Sequence, residues 1–508
     1  MSTRQDAVPE TELKFELGPD SVERLTGHPL FSNPGRTKSL RAVYFDTPSH
    51  ALRNAGFSVR VRQSGGKYVQ TVKQRTGGQL ITRSEWGAEV PSEALDLAEL
   101  DKTPAGAVLH AEPEAVGPVF STNVERTTRM WRDGETVVEL SLDQGEVSAG
   151  DRREPIQELE LELKSGDRAD LFALARDLTD RAPLTLSFVS KGEKGYRLAD
   201  HDGLAAIRAE VSAVTPKPTA AEAFQAVASG CLSQIAGNAQ LFRRVRSPET
   251  LHQLRVGLRR LRAALKAFEP MLEDAEYGAV RDGVKGLAHA LDHGRDLDVF
   301  IQRVLPTDEE DSDDATVAAL RKRLMHAQAA EYEKIVEMIG SEVFMRLLLR
   351  IAGWVEVGDW LRLEDPAASR LRAMPAAELG RRMLDRFHDK VLKAGRHFKS
   401  LGVDERHALR LRAKRLRYAA EFFGGAFRGG DKRRQRYARA VKDLQNHLGE
   451  LNDLAMIERR TLQFVGEKSP ALAYAAGRLI GQRKSSEAAL LAAAAKANDA
   501  VRTARPFW

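Results

Sequence analysis

The order of apolar and polar positions divides this chain in two near residue 210. Before that point, short runs alternate apolar and polar side chains with a period of two, the mark of strands with one polar face. ETELKFEL from Glu10, GFSVRVRQ from Gly56, KYVQTVKQ from Lys67, TVVELSLD from Thr136 and QELELELK from Gln157 are the clearest, separated by Gly, Pro, Asp and Asn. Asp20 to His28 and Asp167 to Asp180 read as helices, with Asp167 as the N-cap of the second. From about residue 218 the period lengthens to that of amphipathic helices rich in Ala, Leu and Arg. Ala213 to Ala220 (AVTPKPTA) contains two prolines and reads as a linker; Pro366 and Pro375 mark a second break. The acidic run Asp308 to Asp314 reads as a solvated loop.

The helical half repeats itself. HQLRVGLRRLR at His252 recurs as HALRLRAKRLR at His407, and LDHGRDLD (Leu291 to Asp298) is echoed by LGELNDLA (Leu448 to Ala455). Separations of 155 and 157 residues are too long for a solenoid and imply two related helical bundles. The expected division is residues 1–205, a linker over 206–217, and a helical region over 218–508 with repeats at about 218–365 and 376–505.

Composition adds exclusions. No apolar run is long enough to span a bilayer, the N-terminus lacks an apolar signal core, and the single cysteine, Cys231, leaves no internal disulfide and no CxxC metal site. A cytoplasmic protein without a membrane segment is expected. The net charge of +6 is unevenly spread: residues 1–205 carry 26 Lys+Arg against 33 Asp+Glu, the remainder 52 against 39. A basic second half points to a polyanionic partner.

Alternate residues of a strand share a face. Glu10, Glu12 and Lys14 therefore point one way, Leu13 and Phe15 the other. Arg60 with Arg62, Lys73 with Arg75, Arg83 with Glu85, Glu139 with Asp143, and Glu158, Glu160 and Glu162 form further charged faces. Such faces are either wet or enclosed by a sheet that closes around them under a cover of helices. Segregation of sign favours enclosure. Clustered carboxylates repel one another until a hard cation such as Mg²⁺ or Mn²⁺ intervenes. Clustered arginines and lysines call for an anion, and guanidinium matches phosphate. Metal-binding carboxylates opposite phosphate-binding cations are what phosphoryl transfer requires.

On a helix, positions 0, 3, 7 and 10 share one face. His252, Arg255, Arg259 and Arg262 form such a column, backed by Leu254, Leu258, Leu261 and Leu265. His407, Arg410, Lys414 and Arg417 form the second, backed by Leu409, Ala413 and Leu416. Neither column contains an acid, so an anion is the expected counter-charge. The histidines are read as phosphate donors that strengthen binding below about pH 6.5. No aromatic residues are interleaved for base stacking, which disfavours nucleic acid.

The first half resembles the CYTH, or triphosphate tunnel metalloenzyme, family. Its motifs occur in order: ExExK at Glu10, Glu12 and Lys14, YFDTP (Tyr44 to Pro48), SVRVRQ, TVK ending at Lys73, LDQGEV (Leu142 to Val147), QELELELKSG and SKGEKGY (Ser190 to Tyr196). The resemblance implies an eight-stranded antiparallel tunnel with flanking helices, with Glu10, Glu12 and Lys14 at the reaction site. It implies metal ligands among Glu10, Glu12, Asp143, Glu158, Glu160 and Glu162. Lys14, Arg60, Arg62, Lys73, Lys191 and Arg126 would hold phosphates, with Arg129 the alternative register in VERTTRMW. The second half resembles the CHAD, or conserved histidine α-helical, family through its duplicated His-x-x-Arg helices. That implies two bundles about a basic groove that binds inorganic polyphosphate. The expected fold is α+β, the tunnel followed by an all-α duplicated bundle. The expected activity is Mg²⁺- or Mn²⁺-dependent hydrolysis of inorganic triphosphate to diphosphate and phosphate. Two alternatives stand beside it: an organic triphosphate as substrate (adenylyl cyclase or thiamine triphosphatase), or a non-enzymatic polyphosphate scaffold.

Overall fold

A computed structural model describes residues 7–32, 34–74, 80–111, 115–200, 205–209, 214, 217–305, 314–427, 431–465 and 469–508. Arg75, part of the linker and residues 308–313 of the acidic run lie outside the described residues. Nine strands form one sheet: β1 (Val8–Leu17), β2 (Arg36–Asp46), β3 (Phe57–Ser64), β4 (Lys67–Gln74), β5 (Thr82–Val90), β6 (Gly117–Asp133), β7 (Thr136–Ala149), β8 (Arg152–Ser165) and β9 (Leu184–Ser187). All pairings are antiparallel. β5, β4, β3, β2, β6, β7, β8 and β1 follow one another, and β1 pairs back onto β5, so eight strands close a ring. β9 occupies the edge of β1 that β5 leaves free. Gly65 and Gly66, both at positive φ, make the two-residue turn between β3 and β4.

The period-two pattern explains the closure. Val59, Val72 and Trp86 face outward and are buried with Leu52 of α2 (Ala51–Asn54), Leu100 of α3 (Leu97–Asp101) and Ala105 of α4 (Pro104–Ala111). Before α2 comes α1 (Pro19–Thr26), which packs on β1 and on α5 (Arg168–Arg181). Leu171, Phe172, Leu174 and Leu178 make the buried face of α5, and Asp167 caps it by accepting from the Ala169 amide at 2.8 Å. With apolar alternates buried under helices, the charged alternates are enclosed by the ring. A ninth strand and the short helix α6 (Lys191–Ala199) follow.

The remaining helices are α7 (Ala220–Val245), α8 (Pro248–Phe268), α9 (Tyr277–Ala290), α10 (Asp292–Val304), α11 (Ala315–Gly340), α12 (Glu342–Val357), α13 (Pro366–Ala373), α14 (Ala376–Ala394), α15 (Val403–Phe423), α16 (Asp431–Val465), α17 (Pro470–Lys484) and α18 (Glu487–Thr503). Residue contacts divide the chain into two compact units. The first holds the chain up to Ile207 together with Leu232–Leu241 and Gly340–Gly358; the second holds the rest. No helix among the described residues is long and apolar enough to cross a membrane.

Within the second unit, the two proline breaks meet: Thr219 bridges Pro375, with Ala220 donating to the Met374 carbonyl and Ala376 to that of Pro218. Asp314, the last residue of the acidic run, caps α11 through the Thr316 and Val317 amides. The repeated helices α8 and α15 are both 21 residues long. Leu254, Leu258, Leu261 and Leu265 of α8 are buried, as are Leu409, Ala413 and Leu416 of α15. Phe268 and Phe423, at equivalent places in the two copies, pack with ring centroids 5.4 Å apart.

Candidate functional site

The charged site lies inside the ring. Strands β1 and β8 run side by side with Lys14 opposite Glu160, and β7 brings Asp143 opposite Glu158. Asp143, Glu158 and Glu160 are buried, and one carboxylate oxygen of each lies within 4.8 Å of the others. Four cations compensate them, of which Lys194 stands farthest off, 3.7 Å from Glu158 Oε2. Lys14 lies 3.0 Å from Glu160 and 3.6 Å from Glu158. Lys191 is 2.7 Å from Asp143 and 2.9 Å from Glu160, and also contacts Glu158. Arg126 donates to both oxygens of Asp143, at 2.7 and 2.6 Å, and to Glu160. Burial alone would raise the Glu160 carboxyl, but Lys191, Lys14 and Arg126 outweigh it and hold the group well below the usual carboxylate range. Glu158 Oε2 is buried and has no hydrogen-bond partner.

A second group continues along the same faces. Lys73 pairs with Glu10 at 2.5 Å and Glu85 at 3.2 Å, and Arg83 with Glu12 at 3.4 Å. Burial, with Glu12 and Glu85 nearby, pushes the Glu10 carboxyl up to about 7. Arg60 donates to the Tyr44 hydroxyl at 3.3 Å, and its Nε is buried without a partner. Arg62 is pushed down to about 10, first by Arg60, then by burial and Arg126. That depression records cation–cation repulsion inside the ring, which an anion would relieve. Glu162 faces the same way but lies apart from the buried triad, paired with Lys164 at 2.6 Å. Arg129 falls on the other face of β6 from Arg126 and lies over the Phe31 ring at 5.0 Å.

Helix α6 delivers Lys191, and also Lys194, which pairs with Glu16 at 2.8 Å. Its position depends on contact at the Gly192 and Gly195 backbone: a Cβ on Gly195 would stand 2.1 Å from the Phe120 ring, and one on Gly192 2.9 Å from Ser58 Oγ. Tyr196 donates to Asp46 Oδ2 at 2.6 Å, and Asp46 also accepts from the amides of Thr47, Leu52 and Arg53. The YFDTP and SKGEKGY motifs therefore hold one another. Tyr196→Phe should destabilise the fold by about 1.5–3 kcal/mol, the typical contribution of a hydrogen bond to a charged group. Urea unfolding would show it as a lower midpoint at unchanged slope.

In the second unit, the columns on α8 and α15 stand close enough to act on each other: the charge of Arg259 bears on His252, Arg410 and Lys414. The expectation of columns without acidic partners is corrected. Arg255 pairs with Asp292 at 2.6 Å, Arg410 approaches Asp453 at 4.0 Å, and Arg417 lies 3.4 Å from Glu421, one turn along its own helix. His407 is hydrogen-bonded to Asn452 at 2.5 Å. Asp292, Arg295, Asn452 and Asp453 come from the second repeated motif, whose echo was the available signal for them. Lys414 and Arg259 have no carboxylate partner among the described residues, and Arg262 is exposed. Burial and the neighbouring arginines 410 and 259 push the Lys414 amine down to about 7. Burial, Arg295 and Arg259 push His252 down to about 4, so the expected histidine transition near pH 6.5 does not apply to it.

A closed eight-stranded antiparallel ring encloses buried carboxylates and cations, and a duplicated helical region follows it. Residues 8–196 match the CYTH domain family and residues 226–463 the CHAD domain family, so the chain belongs to the CYTH family in its first half and the CHAD family in its second. It is 32% identical over 163 residues to an inorganic triphosphatase of Haemophilus influenzae, a match covering 31% of this chain and 45% of that protein. The match thus spans less than half of that relative. An uncharacterized Mycobacterium tuberculosis protein is 25% identical over 456 residues, 84% of this chain and 82% of its own length. The crystal structure of the CHAD domain from the plant Ricinus communis superposes with a TM-score of 0.51 at 28% identity, covering 59% of this chain and 98% of that one.

Proposed function

We propose that the tunnel hydrolyses inorganic triphosphate with a divalent cation, Mg²⁺ or Mn²⁺, and that the CHAD domain binds inorganic polyphosphate. The observation that carries the reading is the enclosure of the buried triad Asp143, Glu158 and Glu160 beside Arg60 and Arg62, cations that lack a carboxylate ion pair among the described residues. The triad fits a hard cation: its donors are all carboxylate oxygens, and one buried oxygen has no hydrogen-bond partner. Bound there, the cation would supply charge neutralisation and polarisation of a phosphoryl oxygen. Arg60, Arg62 and Lys73 would hold the phosphate chain, and Lys14, Lys191 and Arg126 would stabilise charge developing on the transferred phosphoryl group. Glu10 and Glu12 lie on the same inward face of β1 as Lys14, within reach of the same ligand.

Because four cations already balance the triad, a divalent cation should bind weakly until triphosphate draws those side chains onto its own oxygens. Titration calorimetry should show Mn²⁺ binding at least about tenfold tighter with a bound non-hydrolysed triphosphate analogue than without it. Equal affinities would contradict shared neutralisation. An organic triphosphate is disfavoured at the end where α6 packs, since Tyr44, Phe120 and Tyr196 fill it with stacked and edge-on rings. Phosphate release from triphosphate, ATP and thiamine triphosphate, with and without Mg²⁺ or Mn²⁺, tests the assignment; no metal-dependent release from triphosphate would overturn it.

A further inference from the structure

Helix α12 is encoded between the two arginine-striped helices, yet it belongs to the compact unit that contains the tunnel. Phe344, Leu348, Leu349, Ile351 and Trp354 are buried as it packs on α5 and β9. Gly353 permits the approach: a Cβ there would lie 3.2 Å from the Phe172 ring. Arg346 pairs with Asp180 at 3.1 Å, and Thr185 donates to the Met345 sulfur at 3.8 Å. These contacts account for packing. They do not account for the carboxylate near the end of the helix, Glu356, only 5% exposed.

Burying an acid is costly unless its oxygens are engaged. Glu356 Oε1 accepts from the Leu80 amide at 3.2 Å, and Oε2 lies 3.8 Å from Arg168. Leu80 immediately precedes the shortest part of the ring. The seam between β1 and β5 runs only from Val8 opposite Glu85 to Thr11 opposite Thr82. Past its end, the Glu12 amide donates to the Ile81 carbonyl at 2.8 Å, and the Thr11 and Thr82 hydroxyls meet at 3.2 Å. This seam presents Glu10, Glu12, Arg83 and Glu85 to the interior. A shift of β5 along β1 would separate Arg83 from Glu12, and one that carried β4 with it would separate Lys73 from Glu10.

We propose that Glu356 is a positioning residue of the tunnel: by holding the Leu80 amide it fixes the seam on which Glu12 and Arg83 meet. A helix encoded in the second half of the sequence is thereby a working part of the first. The consequence for triphosphate rests on the function proposed above; the consequence for the seam does not. The contact to the Leu80 amide needs an acceptor at Oε1, which glutamine keeps and alanine removes.

The test uses the full-length chain with Glu356→Ala and Glu356→Gln. Hydrogen exchange should speed up at least tenfold for the amides of residues 80–85 in the alanine variant, with the β6–β7 hairpin unchanged. Triphosphate affinity by calorimetry in EDTA should weaken about tenfold, and KM should rise by a similar factor with kcat changed less. The glutamine variant should match the wild type in exchange, affinity and KM. Unchanged exchange at 80–85 in the alanine variant would overturn the proposal. So would equal losses in both variants, which would assign the effect to charge, or a uniform rise in exchange across the barrel, which would mark ordinary destabilisation. If the wild type neither binds nor cleaves triphosphate, the functional reading fails while the exchange comparison still decides the role of Glu356.

Discussion

Glu160→Gln is expected to lower metal-dependent triphosphate hydrolysis by at least about 10²-fold. Glu160 contacts Lys14, Lys191 and Arg126 and is one of the three candidate cation ligands. Substitution by the isosteric amide keeps the volume but removes the charge that holds the three cations in place. Loss of several kcal/mol of charge stabilisation corresponds to two or more powers of ten in rate. The deficit should appear in kcat/KM under saturating Mn²⁺, and the apparent metal affinity should fall with it. A variant within fivefold of wild type at all metal concentrations would remove the triad from the mechanism.

The second large effect is expected in the helical domain. Arg259→Ala combined with Lys414→Ala should weaken polyphosphate binding by the full-length chain on the order of 10²-fold, since a hydrogen bond to a charged group contributes about 1.5–3 kcal/mol. These two cations are chosen because, among the described residues, they lack the carboxylates that Arg255, Arg410 and Arg417 have. Removing two phosphate contacts should flatten the plot of log affinity against log salt by about 1.4–1.8, by analogy with nucleic-acid counterion release. Lys414 adds a pH dependence with a definite sign. Its amine is pushed down to about 7 by burial, Arg410 and Arg259, with Asp453 opposing and Arg417 adding to the repulsion. A bound polyanion raises that value, so binding takes up a proton. Wild-type affinity should therefore fall as pH rises above 7, and Lys414→Ala should remove that slope. Coincident salt and pH curves for variant and wild type would show that the columns are not the binding surface.

Much of the tunnel could be read from alternation. Glu10, Glu12 and Lys14 on one side of β1 and Leu13 and Phe15 on the other require an apolar cover and a separate place for charge. Some strands carry a purely acidic face and others a purely basic one, and that segregation favours enclosure. Strand β6 was less legible. Its run Ser121, Thr122, Asn123 is polar on both faces, so it lacks the hydrophobic period, and its extended form follows from pairing with β2 and β7. Arg83 and Glu85 showed a shared face in the sequence but no partner; the β1–β5 seam places Arg83 beside Glu12, and the β4–β5 ladder places Glu85 opposite Lys73. The leucine and arginine stripes of α8 and α15 were equally plain, because helical periodicity is local. Their acidic neighbours were not, because Asp292 and Asp453 lie on other helices.

The sequence by itself determined the local periods, the single-sign faces, the duplication of the arginine helices and the motifs of two families. These depend on neighbours within about ten residues or on ordered sets of residue types, and both can be read along a chain. Only the tertiary structure decided which strand closes the ring, which carboxylate meets which cation, and that α12 packs with the tunnel. It also moved His252 to about 4 and Lys414 to about 7, values governed by burial and by charges on other elements. The physical reason is the same in each case: desolvation and Coulomb energies depend on distance in space, and for Glu356 and Leu80 that distance is 3.2 Å across 276 residues of chain.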